Sequence, residues 1–426
     1  MRSLVHGLGS TVGALRNPAF ARLYLAQLTH LLGDALVWIA IAVLAYDLAG
    51  PRAAAVLGIA LTLRVAAFVV LSPIAGVVAD RFSRKAIMVV ALVARMGVLA
   101  YLAAATQEWQ LYVGMLAMNA LTAFFTPTYQ ASVPAVTTRA EYPKAIALSG
   151  ATFEMLGVLG PGLAGGLAVA FGGRALFWVA GATAIVAAIL IVSLKRRLDG
   201  AAEDAPADVA ADAASVPAES GWAALTAGTR RLWRDPVVRY GLSLELVASV
   251  AGAWILVNSV VLVKGGLALG DLHYGWLMAV FGAGATAAAL ALGVLEGRWP
   301  RTLFMLVGAA AISLAVLPAN LVGFGALLPL WLLAGVGTNW VNLPMLTLLA
   351  ERTPSKVQGR VYGAHFAWSH LWWLGAYPLA GWLGSVAPDR SFLIGGAVSL
   401  VLLVVVERTL GPRARREERG AARGGG

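Results

Sequence analysis

Gly76 to Met88 reads GVVADRFSRKAIM, and the reading of this stretch decides the fold. An apolar run ends at Ala79, another begins at Ala86, and Asp80, Arg81, Arg84 and Lys85 are crowded between them. Charges cannot sit unpaired in hydrocarbon, so a charged turn between two long apolar runs marks a chain leaving a bilayer and re-entering it. Working outward, runs of about 20 residues, enough to cross a membrane, recur at 23–48, 53–78, 86–106, 109–132, 144–171, 175–194, 237–263, 272–295, 302–320, 325–350, 357–384 and 391–407. These are numbered here as spans 1 to 12.

The composition agrees. The 426 residues are 60% hydrophobic and 12% charged, against about 25% charged in soluble domains. There is no cysteine, which excludes disulfides, thiolate metal sites and cysteine nucleophiles. The net charge of +11 is distributed by side of the membrane and does not point to nucleic acid. With the N-terminus inside, 26 of the 32 Lys and Arg fall in inside segments and four in outside loops. By the positive-inside rule, both termini and the central connector are expected in the cytoplasm. No cleavable leader is expected, because the first 20 residues lack a continuous apolar core.

The chain divides six plus six. Residues 1–194 form a first six-helix bundle. Residues 195–236 form a cytoplasmic linker, whose Ala/Asp/Glu/Pro part is too poor in large apolar residues to fold alone. Its end, WAALTAGTRRLW (222–233), reads as an amphipathic helix at the interface. Residues 237–410 form a second bundle and 411–426 a disordered tail. A shift of 217 residues lays Gly76 on Gly293, Arg81 on Arg298, Arg84 on Arg301, Met88 on Met305, Pro127 on Pro344 and Pro161 on Pro378. Asn17-Pro18 matches Asp235-Pro236 with one residue of slippage. The expected fold is an all-α membrane protein, with twelve transmembrane helices in two pseudo-symmetric six-helix bundles.

Twelve spans, the parallel repeat, the long connector and the Gly76…Asp80-Arg81…Arg84-Lys85 turn together resemble the major facilitator superfamily over nearly the whole chain. The turn is similar to that family's signature loop between spans 2 and 3, with Ser83 where a second glycine is usual. The resemblance implies a cytoplasmic gate latching spans 2 and 11 in the outward-open state; topology alone would require only the basic residues. In span 5, Gly157, Gly160, Pro161 and Gly165 are similar to the glycine-proline motif of the family's antiporters. Tight helix packing accounts for the same residues. FFTPTYQASVPAV (124–136) and QGRVYG (358–363) resemble the branch of macrolide efflux proteins and the enterobactin exporter. RNPAFARLYLAQ (16–27) and residues 361–384 also resemble nickel- and cobalt-resistance permeases, but the histidine-rich tail common in those permeases is absent. Many proton-coupled exporters of the family carry an arginine in mid-span 4, where this chain has Asn119.

An ionisable group inside a membrane costs several kcal/mol, so each one marks a candidate site. Asp34 lies about 11 residues into span 1, near mid-membrane by a rise of about 1.5 Å per residue, and His30 precedes it by one turn on the same face. Asp34, Glu154 and Arg64 are the candidates for proton or cation coupling. Asp34 and Arg64 could equally neutralise one another. His30, Asn119, Glu245, Asn339, Asn342, His365, Trp368, His370 and Trp372 are candidates for binding substrate. His365, Trp368 and Trp372 share one face of span 11, and His370, Trp373 and Tyr377 share another. Arg95, in a span otherwise placed at the periphery, could reach the gate or a carboxylate.

No phosphate-binding loop or hydrolase motif stands out, so neither an enzyme nor a cofactor is implied. The expected function is secondary transport in the inner (plasma) membrane by a monomer, with protons and a small solute as partners. The solute is an amphiphilic organic compound or, alternatively, a divalent metal held by His30, Asp34, His365 and His370. A non-transporting sensor and a lipid flippase are the rivals of other classes.

Overall fold

A computed structural model of the chain describes residues 13–138, 141–195, 198, 221–295, 299–353 and 358–424. Thirteen α-helices and no strand occur among them. Twelve match the apolar runs: Pro18–Ala49, Ala53–Arg81, Arg84–Ala103, Glu108–Val136, Tyr142–Phe171, Leu176–Val192, Pro236–Val261, Asp271–Leu295, Arg301–Val316, Phe324–Arg352, Gln358–Val386 and Ser391–Gly424. They keep the names spans 1 to 12. The thirteenth, Gly221–Arg234, is the linker helix; most of the acidic linker before it lies outside the described residues. By length and apolarity alone, seven stretches of described residues are fit to cross a bilayer, or eight with the bent pair Gly162–Phe171 and Leu176–Val192. Spans 4 and 11 fall short on that criterion because they carry Asn119, Thr122, Thr128 and Ser132, and His365, Ser369 and His370.

The described residues pack as two compact units. The first takes Met1–Ala40, Ala66–Gly160 and Gly173–Pro217; the second takes Ile41–Val65, Pro161–Gly172 and Ala218–Gly426. Phe20, Met88, Phe125, Tyr129 and Ile191 lie in the core of the first, and Leu244, Met305, Met345 and Leu349 in that of the second. Lipid is as apolar as leucine, so burial alone does not hold such helices together; close approach at small residues does. In the second unit a Cβ on Gly284 would stand 2.0 Å from the Leu332 carbonyl oxygen, and one on Gly335 2.0 Å from that of Phe281. Spans 8 and 10 therefore cross backbone to backbone.

The two halves of the repeat begin on the same device. Asn17 precedes Pro18, and its side-chain oxygen accepts from the amides of Ala19 (3.1 Å) and Phe20 (3.3 Å). Asp235 precedes Pro236 and accepts from Val237 (2.9 Å) and Val238 (3.1 Å). Each side chain caps a helix opened by proline, whose missing N–H costs nothing at that position. Each cap also ties down the far end of a later span. Asn17 Nδ2 donates to the Val136 carbonyl (2.8 Å) and to Glu141 (3.0 Å), while Arg352 donates to Asp235 (3.1 Å). Bonds from the Thr138 amide and Asn17 hold the Glu141 carboxyl below its usual range. A depressed carboxyl stabilises above its unfolded pKa and loses that contribution as pH falls through the folded one; for so exposed a group the effect is small. Asn17→Ala is expected to destabilise the first unit by about 1 kcal/mol from the cap alone, read as a lowered Tm in detergent.

Of the segment 411–426, expected to be disordered, the described part is corrected: span 12 continues as helix to Gly424. Glu418 accepts from the Arg301 amide (2.9 Å) and from the Thr302 hydroxyl, and Arg415 pairs with Glu407, which also accepts from the Tyr240 hydroxyl (2.6 Å). The tail reads as low-complexity charge, but its Glu418 bonds to the start of span 9 and its Arg415 to Glu407, which holds Tyr240 near the start of span 7.

Candidate functional site

The first unit gathers a charged cluster from spans 1, 3 and 4. Arg95, 1% exposed, donates to Asp34 and to Thr122 Oγ1 (3.2 Å). His30 Nε2 lies 3.6 Å from the other Asp34 oxygen, and its ring packs on Phe125 with centroids 4.2 Å apart. Arginine is always charged and planar, so it fixes the carboxylate strongly. Asp34 itself keeps about a third of its side chain accessible (30%). A buried cation thus holds a reachable acid, an arrangement in which gain or loss of one proton changes the whole pairing. The sequence singled out Arg95 without finding its partner, because residues 61 positions apart carry no local spacing signal.

The second unit holds a separate acid–imidazole pair. His365 Nε2 lies 3.0 Å from both carboxylate oxygens of Glu245, and both residues are buried. His370 bonds to the Phe366 carbonyl (2.8 Å) on its own helix, within electrostatic reach of Arg64. The face of span 11 carrying His365, Trp368 and Trp372 turns toward span 7 and the linker helix. Trp368 Nε1 donates to Thr229 (3.3 Å), and its ring meets Trp233 edge-on at 5.2 Å and Trp372 at 5.2 Å. Trp373, on the other face, packs against span 7 at Gly252.

The remaining candidates sit as follows. Asn119 donates to Met115 (2.7 Å) within span 4, and Asn339 to Ala285 (2.9 Å), bonding span 10 to span 8. Asn342 is half-buried. The side chains of Gly76, Asp80, Glu154, Gly157 and Pro161 lie outside the described residues. Arg81 is exposed at the end of span 2. Arg84 donates to the Ala131 (2.7 Å) and Leu198 (3.2 Å) carbonyls, and Lys85 to those of Val192 (2.9 Å) and Leu194 (2.7 Å). Lys85 thereby satisfies open carbonyls at the end of span 6, a role cations fill at helix C-termini, while Arg84 joins Leu198, beyond span 6, to Ala131 of span 4. Among the described residues, no three His, Asp or Glu converge as a metal site.

Sequence reasoning did not find the lock at the end of the second unit that carries the 50–52 turn. Lys264, in a π-helical turn (Leu262–Gly266) closing span 7, donates to Asp47 (2.8 Å) and Asp271 (2.5 Å) and lies over the Tyr46 ring at 4.9 Å. Beside it, glycines let spans 2 and 5 touch spans 11 and 8. A Cβ on Gly58 would stand 2.8 Å from the Tyr377 carbonyl oxygen, and one on Gly165 2.5 Å from both Gly275 O and Ala279 N. Gly160 packs instead on Ala35 of span 1. The glycine spacing of span 5 signals a close helix neighbour without saying which one.

Residues 23–269 and 246–425 match the Major Facilitator Superfamily. The chain belongs to that superfamily. A multi-pass membrane protein of a transporter family follows. An uncharacterised MFS-type transporter of Bacillus subtilis (strain 168), YfiS, is 27% identical over 350 residues, covering 78% of this chain and 79% of the relative. The multidrug efflux pump Tap of Mycolicibacterium fortuitum is 27% identical over 270 residues, 62% of each chain. Among solved structures, the chain resembles a bacterial homologue of the human lysosomal transporter Spinster in an inward-facing, unoccupied conformation. The TM-score is 0.69 at 14% identity, over 94% of this chain and 97% of that one. It also resembles the nucleoside transporter NupG, with TM-score 0.67 at 13% identity over 92% and 98%. These two show the fold.

Proposed function

We propose that the chain is a proton-coupled exporter working by alternating access in the inner membrane. Its cargo is an amphiphilic organic solute. The observation that carries the proposal is the Asp34 cluster: a partly accessible carboxylate at mid-span, gripped by a buried guanidinium and faced by His30. A proton taken by Asp34 cancels the attraction to Arg95, and a proton lost restores it. One proton is thereby coupled to a choice between two side-chain arrangements. The likeness to a multidrug efflux pump supports an organic cargo. The 26-to-4 distribution of basic residues supports a cytoplasmic linker and termini, which puts the Lys264 lock on the outside. Six-helix bundles at 1–194 and 237–410, joined by the linker, are the moving parts in this reading. Gly76, Asp80 and Arg81 belong to its cytoplasmic gate, and Glu154 to a second proton site. Nickel or cobalt as cargo is disfavoured by the guanidinium on Asp34, which repels a second cation.

The test is a drug-hypersensitive host expressing the protein, challenged with macrolides, cationic dyes, nickel and cobalt, together with everted vesicles carrying a pH gradient. Resistance to at least one organic compound, and collapse of the gradient when that compound is added, are expected. Resistance confined to the metals, or a gradient indifferent to every compound, overturns the proposal.

A further inference from the structure

We propose that the cleft between the linker helix and the ends of spans 7, 10 and 11 binds a phosphate group. The cleft has a volume of about 450 Å³, within the range of pockets that hold small molecules. Arg230, Arg231 and Arg234 of the linker helix line it together with Arg352 of span 10, and among the described residues Asp235 is the one acid in the lining. That acid is committed. Asp235 Oδ1 accepts from the amides of Val237 and Val238, and its carboxylate accepts from Arg352 (3.1 Å). The three linker arginines are exposed, and no further acid lines the cleft among the described residues.

Two features separate this cleft from an ordinary solvated basic face. The first is the excess of charge. A helix C-terminus carries about half a negative charge, which one arginine satisfies; the last turn of the linker helix brings two and the turn before it a third. Guanidinium forks match the oxygens of a phosphate, each fork binding two of them in parallel, and three line the cleft from the linker helix. The second is the floor, where Leu232, Val238 and Val361 are 1%, 4% and 2% exposed. An apolar floor under a cationic rim lowers the local dielectric and strengthens each charge-assisted bond.

Trp233 and Trp368, stacked edge-on beside the cleft, are of the type that sits at headgroup level. The phosphodiester of an anionic phospholipid and a free phosphate offer the same chemistry to the arginines. A lipid source rests on the proposed cytoplasmic orientation, since anionic lipids concentrate there; phosphate binding itself does not. A bound phosphate would clamp the linker helix to spans 7, 10 and 11, giving the connector between the halves a fixed anchor on the second unit.

The experiment uses the purified full-length protein in detergent and asks for binding, not transport, so its outcome is independent of whether export is observed. Native mass spectrometry and thermal-shift titrations are run with phosphatidylglycerol, phosphatidylcholine and inorganic phosphate. The expected result is a retained phosphatidylglycerol adduct and a raised Tm, both absent with phosphatidylcholine. Each surface arginine contributes about fivefold in affinity for an anionic lipid. The variant R230Q/R231Q/R234Q is therefore expected to bind about a hundredfold more weakly, while Arg390→Gln binds as the parent does. If the triple variant does not fold, Arg234→Gln alone should weaken binding about fivefold. Protection by inorganic phosphate at equal strength, lost in the same variants, assigns the site to soluble phosphate. No binding of either, or equal binding by the arginine variants, overturns the proposal.

Discussion

Asp34→Asn is expected to abolish proton-driven export and to destabilise the first unit. The reasons are separate and can be measured separately. Arg95 is almost fully buried, and its acceptors include Asp34 and Thr122. Removing one partner of a buried ion pair costs about 3–5 kcal/mol, because a charge is left without its counter-ion. Asparagine still offers an oxygen to accept a hydrogen bond, so the lower end of that range is expected. The transport loss is a different matter: asparagine does not exchange a proton at any accessible pH, so one of the two side-chain arrangements is no longer reached. The double variant D34N/R95Q separates the two effects. Removing both charges should restore most of the stability, since a buried pair is often no better than its neutral replacement. It should not restore proton-coupled export. If export returns with stability, the pair serves only to hold spans 1 and 3 together, and the coupling site lies elsewhere.

This cluster also marks the limit of what the sequence discloses. Spans are legible because each apolar run satisfies its own backbone hydrogen bonds and needs no partner to be recognised. The repeat is legible for a related reason: Asn17 and Asp235 do the same local work, and a side-chain oxygen followed by proline is a visible cap. The partners of charged groups are not legible. The sequence left Arg95, in a span assigned to the periphery, a choice between the gate and any carboxylate, and in the structure it donates to Asp34. Helix rotation about the long axis decides that choice, and a helix apolar on nearly every side gives no moment from which to infer rotation. Span 11 presents the same difficulty. Either aromatic face fitted a cavity, and the structure turns Trp368 toward Thr229 and Trp233 of the linker helix. The tail failed for another reason: its helix is held by Glu418 at the start of span 9, a contact over more than a hundred residues.

Gly165→Leu is expected to shift the protein toward the state open at the 50–52 end. In the second unit, span 5 lies against span 8 so closely that any Cβ at Gly165 would stand 2.5 Å from backbone atoms of Gly275 and Ala279. Hydrogen-bonded backbone atoms of a helix do not move aside as a side-chain tip would. Span 5 must therefore separate from span 8, and separation is what opening that end requires in an alternating-access cycle. Overpacking of this kind costs about 1–3 kcal/mol, which moves a two-state equilibrium about 5- to 150-fold. The Lys264 bonds to Asp47 and Asp271 oppose the shift and set the closed state's remaining share. The chain has no cysteine of its own, so spin labels on P51C/V386C report the opening without background. A longer distance distribution in the Gly165→Leu protein, with slowed export, is the expected result. Gly165→Ala, which adds one methyl at the same contact, should shift the distribution in the same direction by less. An unchanged distribution in both would mean that span 8 yields to the added carbon, and the glycines of span 5 would then be ordinary packing residues and no part of a gate.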